Sequence, residues 1–112
     1  MNTVRASDLL IVKREITKLS QDYMRRRYGN VFVAYRGITG REHHRTTTSL
    51  TLNLRTAKFH TSTRGKNLII KYEVRVDDVL AFSDAIGKGT FDEKEIIVHT
   101  RSLKPVEEIR LT

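Results

Sequence analysis

Apolar positions in the first thirty residues recur in steps of three and four. Leu9, Val12, Ile16, Leu19 and Tyr23 make one stripe, with Leu10 and Met24 beside it. That period predicts an amphipathic helix whose stripe faces a core. Ser7 or Asp8 is the expected N-cap, and the helix is expected to reach about Arg27. Gly29-Asn30 supplies the stop. Arg25, Arg26 and Arg27 fall in the last turn, where cations offset the helix dipole.

The period then changes to two. Val31, Val33 and Tyr35 alternate with Phe32, Ala34 and Arg36, which predicts a strand between two layers. Thr39 to Ser49 is polar and reads as a loop. Leu50 to His60 fits either period. Leu50, Leu52 and Leu54 alternate, whereas Leu50, Leu54, Ala57 and Lys58 share a helical face. A short helix capped by Thr51 or Asn53 is the preferred reading. Thr61 to Asn67 is a turn around Gly65. Leu68 to Val76 is the clearest strand, with Leu68, Ile70, Tyr72, Val74 and Val76 on one face. Further strands are expected at Val79–Phe82, Glu95–His99 and Val106–Leu111, the last after the single proline, Pro105. Ser83 to Asp92 reads as a loop. One helix followed by short strands predicts an α+β fold, with the N-terminal helix packed on a mainly antiparallel sheet. Residues 1–112 are expected to form a single domain.

Charge changes the picture. Residues 1–70 hold fourteen Lys/Arg against four Asp/Glu, whereas residues 71–112 hold seven against nine. A basic half of this kind speeds encounter with anions, so a phosphate-bearing ligand is expected. With no cysteine, disulfides and thiolate metal sites are excluded. No stretch is long and apolar enough to cross a bilayer, and a cytoplasmic location is expected. His43, His44 and His60 have only Glu42 near them at ligand spacing, so no metal site is expected.

Three polar groups stand at strand ends or in loops: Tyr35-Arg36-Gly37, Thr47-Thr48-Ser49, and Glu93-Lys94-Glu95 followed by two isoleucines. An arginine can grip phosphate with two donors. Carboxylates two apart on a strand enter the same cleft. In this order the groups resemble the arginine–STS–glutamate pattern of the mono-ADP-ribosyltransferases. The likeness covers roughly residues 31 to 99, with Thr47 where the family has its first serine. Only ten residues separate Arg36 from Thr47, so the resemblance is to a shortened member.

The resemblance implies an ADP-ribosyltransferase-like fold and transfer of ADP-ribose from NAD to a macromolecular acceptor, protein or nucleic acid. E-x-E points to arginine acceptors. Arg36 would anchor NAD. Thr47, Thr48 and Ser49 would support the nicotinamide pocket and hold the glutamate strand. Phe59 would stack near the nicotinamide or pack under it, and Arg64 would contact the pyrophosphate. Glu95 would be the catalytic carboxylate, and Glu93 would orient or deprotonate the acceptor. Phe91 would sit in the target-recognition loop.

Each piece also has a plainer reading. Arg36 can pair with Glu93 or Glu95, the hydroxyl run can be a polar turn, and both glutamates can line a solvated strand. The competing class is a small basic nucleic-acid-binding module without catalysis. Its aromatics would be Tyr23, Tyr28, Phe32 and Tyr35, close to the arginines.

Overall fold

The computed structural model describes residues 6–38, 46–65, 67–87 and 94–111. The helix α1 spans Ala6–Tyr28, starting ahead of both expected caps. Six strands follow: β1 Val31–Ile38, β2 Thr47–Thr51, β3 Leu68–Arg75, β4 Val79–Phe82, β5 Glu95–His99 and β6 Lys104–Arg110. A second helix, α2, spans Leu54–Thr63 between β2 and β3. The strands form one sheet in the order β4-β5-β2-β1-β3-β6, and every recorded pair is antiparallel. The fold is therefore α+β, as the change of period implies.

Alternation along the strands separates the two faces. Phe32, Ala34, Leu50, Val74, Ile96 and Val98 are buried together on one of them, with Met24 of α1 against them. Val31, Val33 and Ile97 stand on the other face and stay well exposed. The expectation that β1 lies between two layers is thus corrected: along Val31–Ala34 only the Phe32–Ala34 side is covered. Near the end of β1 the second face does gain a cover, because α2 packs there over Gly37. A Cβ on Gly37 would stand 2.2 Å from Thr61 Oγ1. That threonine is buried and donates its hydroxyl to Ala57 O at 2.6 Å. A residue without a side chain is what lets α2 come this close.

The buried face of α1 coincides with the predicted stripe only in part; Leu9 and Leu10 have side chains outside the described ones, and Ile16 and Tyr23 are half-buried. Val12 is 49 % exposed and Leu19 56 % exposed, whereas Ser20 and Met24 are fully buried. The reason lies at the sheet edge. β4 is an outer strand, and such a strand presents backbone groups that need partners. Polar side chains of α1 supply them. Thr17 Oγ1 donates to Leu80 O at 2.8 Å, and Gln21 Nε2 donates to Val79 O at 3.0 Å. Ser20 Oγ accepts from Phe82 N at 2.9 Å. Burying these polar residues is favourable because each finds a hydrogen bond. Helix α1 therefore turns Thr17, Ser20, Gln21 and Met24 inward, and the stripe rotates partly outward. Tyr23 stays half-buried, its ring 5.5 Å from that of Phe82.

Other boundaries shift for local reasons. Thr47–Ser49, expected in a loop, belongs to β2, because β5 offers it a full ladder from Thr47 opposite His99 to Thr51 opposite Glu95. The Leu50–His60 ambiguity resolves as strand, then cap, then helix. Asn53 Oδ1 accepts from Arg55 N at 2.9 Å and from Thr56 N at 3.3 Å. Helix α2 continues to Thr63, into the expected turn, and Gly65 follows with φ +70°. Ser83–Ile86 is a 3₁₀ turn, where the expected loop begins. At the far edge β6 takes in Pro105, which an outer strand tolerates because one row of its N–H groups has no partner strand. No helix among the described residues is long and apolar enough to cross a membrane.

The rotated helix face is directly testable. Met24→Ala is expected to cost about 2–5 kcal/mol. Ser20→Ala should cost about 1–3 kcal/mol, because it leaves the buried Phe82 N–H without its acceptor. Leu19→Ala should stay within about 0.5 kcal/mol. Urea unfolding of the three variants checks the order, and a large loss at Leu19 would restore the predicted stripe as the buried face.

Candidate functional site

β1, β2 and β5 lie side by side in the sheet, so three distant stretches of chain meet. Tyr35 stands opposite Thr51, and Thr51 stands opposite Glu95. Alternation places these three residues on the face that also receives α2. β1 and β2 share a single recorded register pair, unlike the long ladder between β1 and β3. Next to that pair Arg36 reaches across, and its Nη1 donates to Ser49 O at 3.1 Å. An arginine side chain thus joins the two strands beside their one backbone register pair.

The connection from β2 into α2 is tightly held. Thr51 Oγ1 accepts from Asn53 N at 3.1 Å, and Leu52 N donates to Lys94 O at 3.2 Å. The second bond ties the start of α2 to the residue before Glu95. Lys94 has φ +42°, a left-handed conformation that is uncommon for a residue with a side chain. Glu95 N donates to Ser83 Oγ at 3.2 Å, so the 3₁₀ turn after β4 also fixes the start of β5.

Between these elements lies a cavity of about 300 Å³. Tyr35 and Arg36 of β1, Ser49 and Thr51 of β2, and Glu95 of β5 line one part of it. Thr56, Ala57 and His60 of α2 and the following Arg64 line the rest. Its lining residues include two arginines, one glutamate, one histidine and four hydroxyl residues. That is a site for a polar, anionic ligand, at the lower end of the usual volume of small-molecule sites, about 300–1,000 Å³.

Of the residues expected to act together, the structure brings Arg36, Ser49, Arg64 and Glu95 to this one cavity. Thr47 and Thr48 lie farther along β2, opposite His99 and Val98, where they hold the glutamate strand through the ladder. Phe59 does not pack under the cavity. It is 65 % exposed, with its ring 5.7 Å from that of His60, and it does not line the wall. Its place on α2 explains this: the inward positions are Ala57 and Thr61, and Phe59 falls between them. Glu93 and Phe91 lie outside the described residues, as do Glu42, His43 and His44.

Sequence reasoning missed Thr51, Thr56 and His60 as members of the site. Thr56, His60 and Arg64 follow one another at intervals of four, a line along one helical face. That line becomes readable once Asn53 is taken as the cap. The aromatics proposed for stacking on nucleic acid fare differently. Phe32 is 7 % exposed in the core, and Tyr23 packs on Phe82 with Arg27 over its ring at 5.9 Å. Arg25 pairs with Asp77, and Arg26 Nε donates to Asp22 O at 3.3 Å. The three arginines closing α1 thus each have a local partner.

No protein-family model matches the chain, and neither a curated protein nor a solved structure matches it.

The seat of α2 controls the cavity wall, which yields a prediction. Gly37→Ala should destabilise the fold by about 1–3 kcal/mol, because the new methyl meets Thr61. In a Thr61→Ala background the same substitution should cost measurably less. A double-mutant cycle by urea unfolding checks it, and additive effects would place the close contact elsewhere.

Proposed function

We propose that this chain is an NAD-dependent mono-ADP-ribosyltransferase with a shortened fold of that type. It transfers ADP-ribose to a macromolecular acceptor and releases nicotinamide. One observation carries the reading. Arg36, Ser49, Arg64 and Glu95 come from four separate elements, and all four line the same cavity. They are four of the eight site residues that the resemblance implies; Thr47, Thr48 and Phe59 do not line the cavity.

The roles follow from the chemistry of each group. Arg36 and Arg64 offer paired donors to the pyrophosphate, which suits guanidinium groups better than point charges. The cavity accommodates one end of the dinucleotide rather than all of it, so the remainder would extend past its mouth. Glu95 accepts a hydrogen bond from a hydroxyl of the nicotinamide ribose. Its negative charge then favours the oxocarbenium-like state as the C1′–N bond breaks and nicotinamide departs with the bonding electrons. An acceptor atom forms the new bond at C1′ and gives up a proton, for which Glu93 is the assigned base. Ser49 and Thr51 keep β5 in register, so that Glu95 is held against the ribose. His60 and Tyr35 complete the wall between the two charged ends.

Glu95→Gln keeps the shape of the side chain and removes its charge. Nicotinamide release from NAD by the purified chain should fall by a factor of about 10²–10³, with the unfolding midpoint unchanged. An Arg64→Gln variant should raise the NAD concentration needed for half-maximal release while folding persists. A folded Glu95→Gln protein with full activity would remove the reading. Addition of cell lysate should increase release by the unmodified chain, since a true acceptor competes with water.

A further inference from the structure

Three cations of α1 take no part in the folding contacts above. Lys13, Arg14 and Lys18 are exposed and line one groove of about 380 Å³ along the helix. Thr17, Gln21 and Asp22 line it too, and Arg25, already paired with Asp77, closes its C-terminal end. Among the described residues Lys13, Arg14 and Lys18 make no ion pair. Arg14 and Lys18 stand four apart, a like-charge spacing that weakens an isolated helix. An anion laid along the groove turns that repulsion into attraction.

The lining also says what kind of anion fits. Among the described residues none that lines the groove is apolar or aromatic. Protein partners are usually anchored by aromatic or aliphatic side chains in buried pockets. Nucleic-acid interfaces are instead polar and strongly positive, and most of their contacts go to phosphate. The excess of positive charge in residues 1–70 points the same way.

The groove and the candidate cavity lie on opposite faces of the sheet, α1 packing on the core face and α2 on the other. Ser20 of α1 accepts from Phe82 N, and the following residue, Ser83, accepts from Glu95 N. Two hydrogen bonds and one peptide link therefore connect α1 to the strand that carries Glu95, around the β4 edge. We infer that the α1 groove docks the phosphate backbone of a nucleic acid.

The experiment is anisotropy of the full chain with a labelled single-stranded RNA of about sixteen nucleotides across a salt series. Arg14→Gln/Lys18→Gln is set beside Lys104→Gln/Arg110→Gln, an equal loss of charge on the opposite sheet edge. The groove variant should bind about tenfold or more weakly, with a salt slope reduced by about 1.4 for two lost phosphate contacts. The β6 variant should change little. Lys13→Gln/Lys18→Gln provides a second groove variant should the first be poorly folded by circular dichroism. Equal losses in groove and β6 variants would reduce the effect to net charge and overturn the proposal. Absence of binding at low salt, or displacement of the RNA by an equal charge concentration of poly-glutamate, would overturn it as well. Nicotinamide release without acceptor should be unchanged in the groove variant. Groove-dependent RNA binding by a chain that releases no nicotinamide would leave the docking intact and remove only the enzymatic reading.

Discussion

The sheet depends on how its first edge is closed. β4 is short and lies outermost, and α1 satisfies its backbone with hydroxyl and amide side chains rather than covering it with hydrocarbon. Thr17, Ser20 and Gln21 bond to three of the four residues of the strand, at Leu80, Phe82 and Val79. Loss of one such partner leaves a buried polar group alone, which costs more than the bond itself contributes. What β4 holds next is β5, and β5 carries Glu95. In turn β5 pairs along its length with β2, whose continuation is capped by Asn53 and becomes α2. The placement of the candidate carboxylate is thus tied to helix side chains about seventy-five residues away in sequence.

A second constraint acts in the middle of the sheet. β1 and β2 meet at one recorded register pair, and the cavity lies beside it. Arg36 serves two ends there. Its guanidinium donates to the Ser49 carbonyl and also lines the cavity. Such a residue would meet a ligand while it holds the strand that forms the site. Changing it alters both functions together, which is why Arg64 separates binding from folding more cleanly. The glycine after Arg36 has a comparable double effect, since it lets α2 sit close enough to form the opposite wall.

Much of this was legible along the chain, and the failures have a common cause. Strand β3 followed from alternation over most of its length, whereas β4 and β5 followed from short apolar runs between turns. The extent of α1 followed from its period. Its orientation did not, because a stripe of Val12, Ile16 and Leu19 outweighs Thr17, Ser20 and Gln21 in any reading based on hydrophobicity. Only the tertiary need of the β4 edge reverses that preference. The same holds at β2. Thr47 and Thr48 look like loop residues until β5 is available as a partner, and no local signal announces that partner. At the candidate site the resemblance pointed to Arg36, Ser49, Arg64 and Glu95, which line the cavity, but equally to Thr47, Thr48 and Phe59, which do not. His60 and Thr56 needed the helix register, and Phe59 was misplaced for want of it.

The two borders of the sheet are finished in different materials. On one side helix side chains occupy the backbone of β4. On the other, β6 brings Pro105, which has no N–H to offer, amid Lys104, Glu107, Glu108 and Arg110. A flat border with free backbone groups invites strand addition and, through it, filament growth; proline and charge discourage it. This sheet therefore ends where it ends, and a chain that joins it must come to a face or to a helix. A crowded, highly basic protein of this size is in that way protected from coating itself in its own copies.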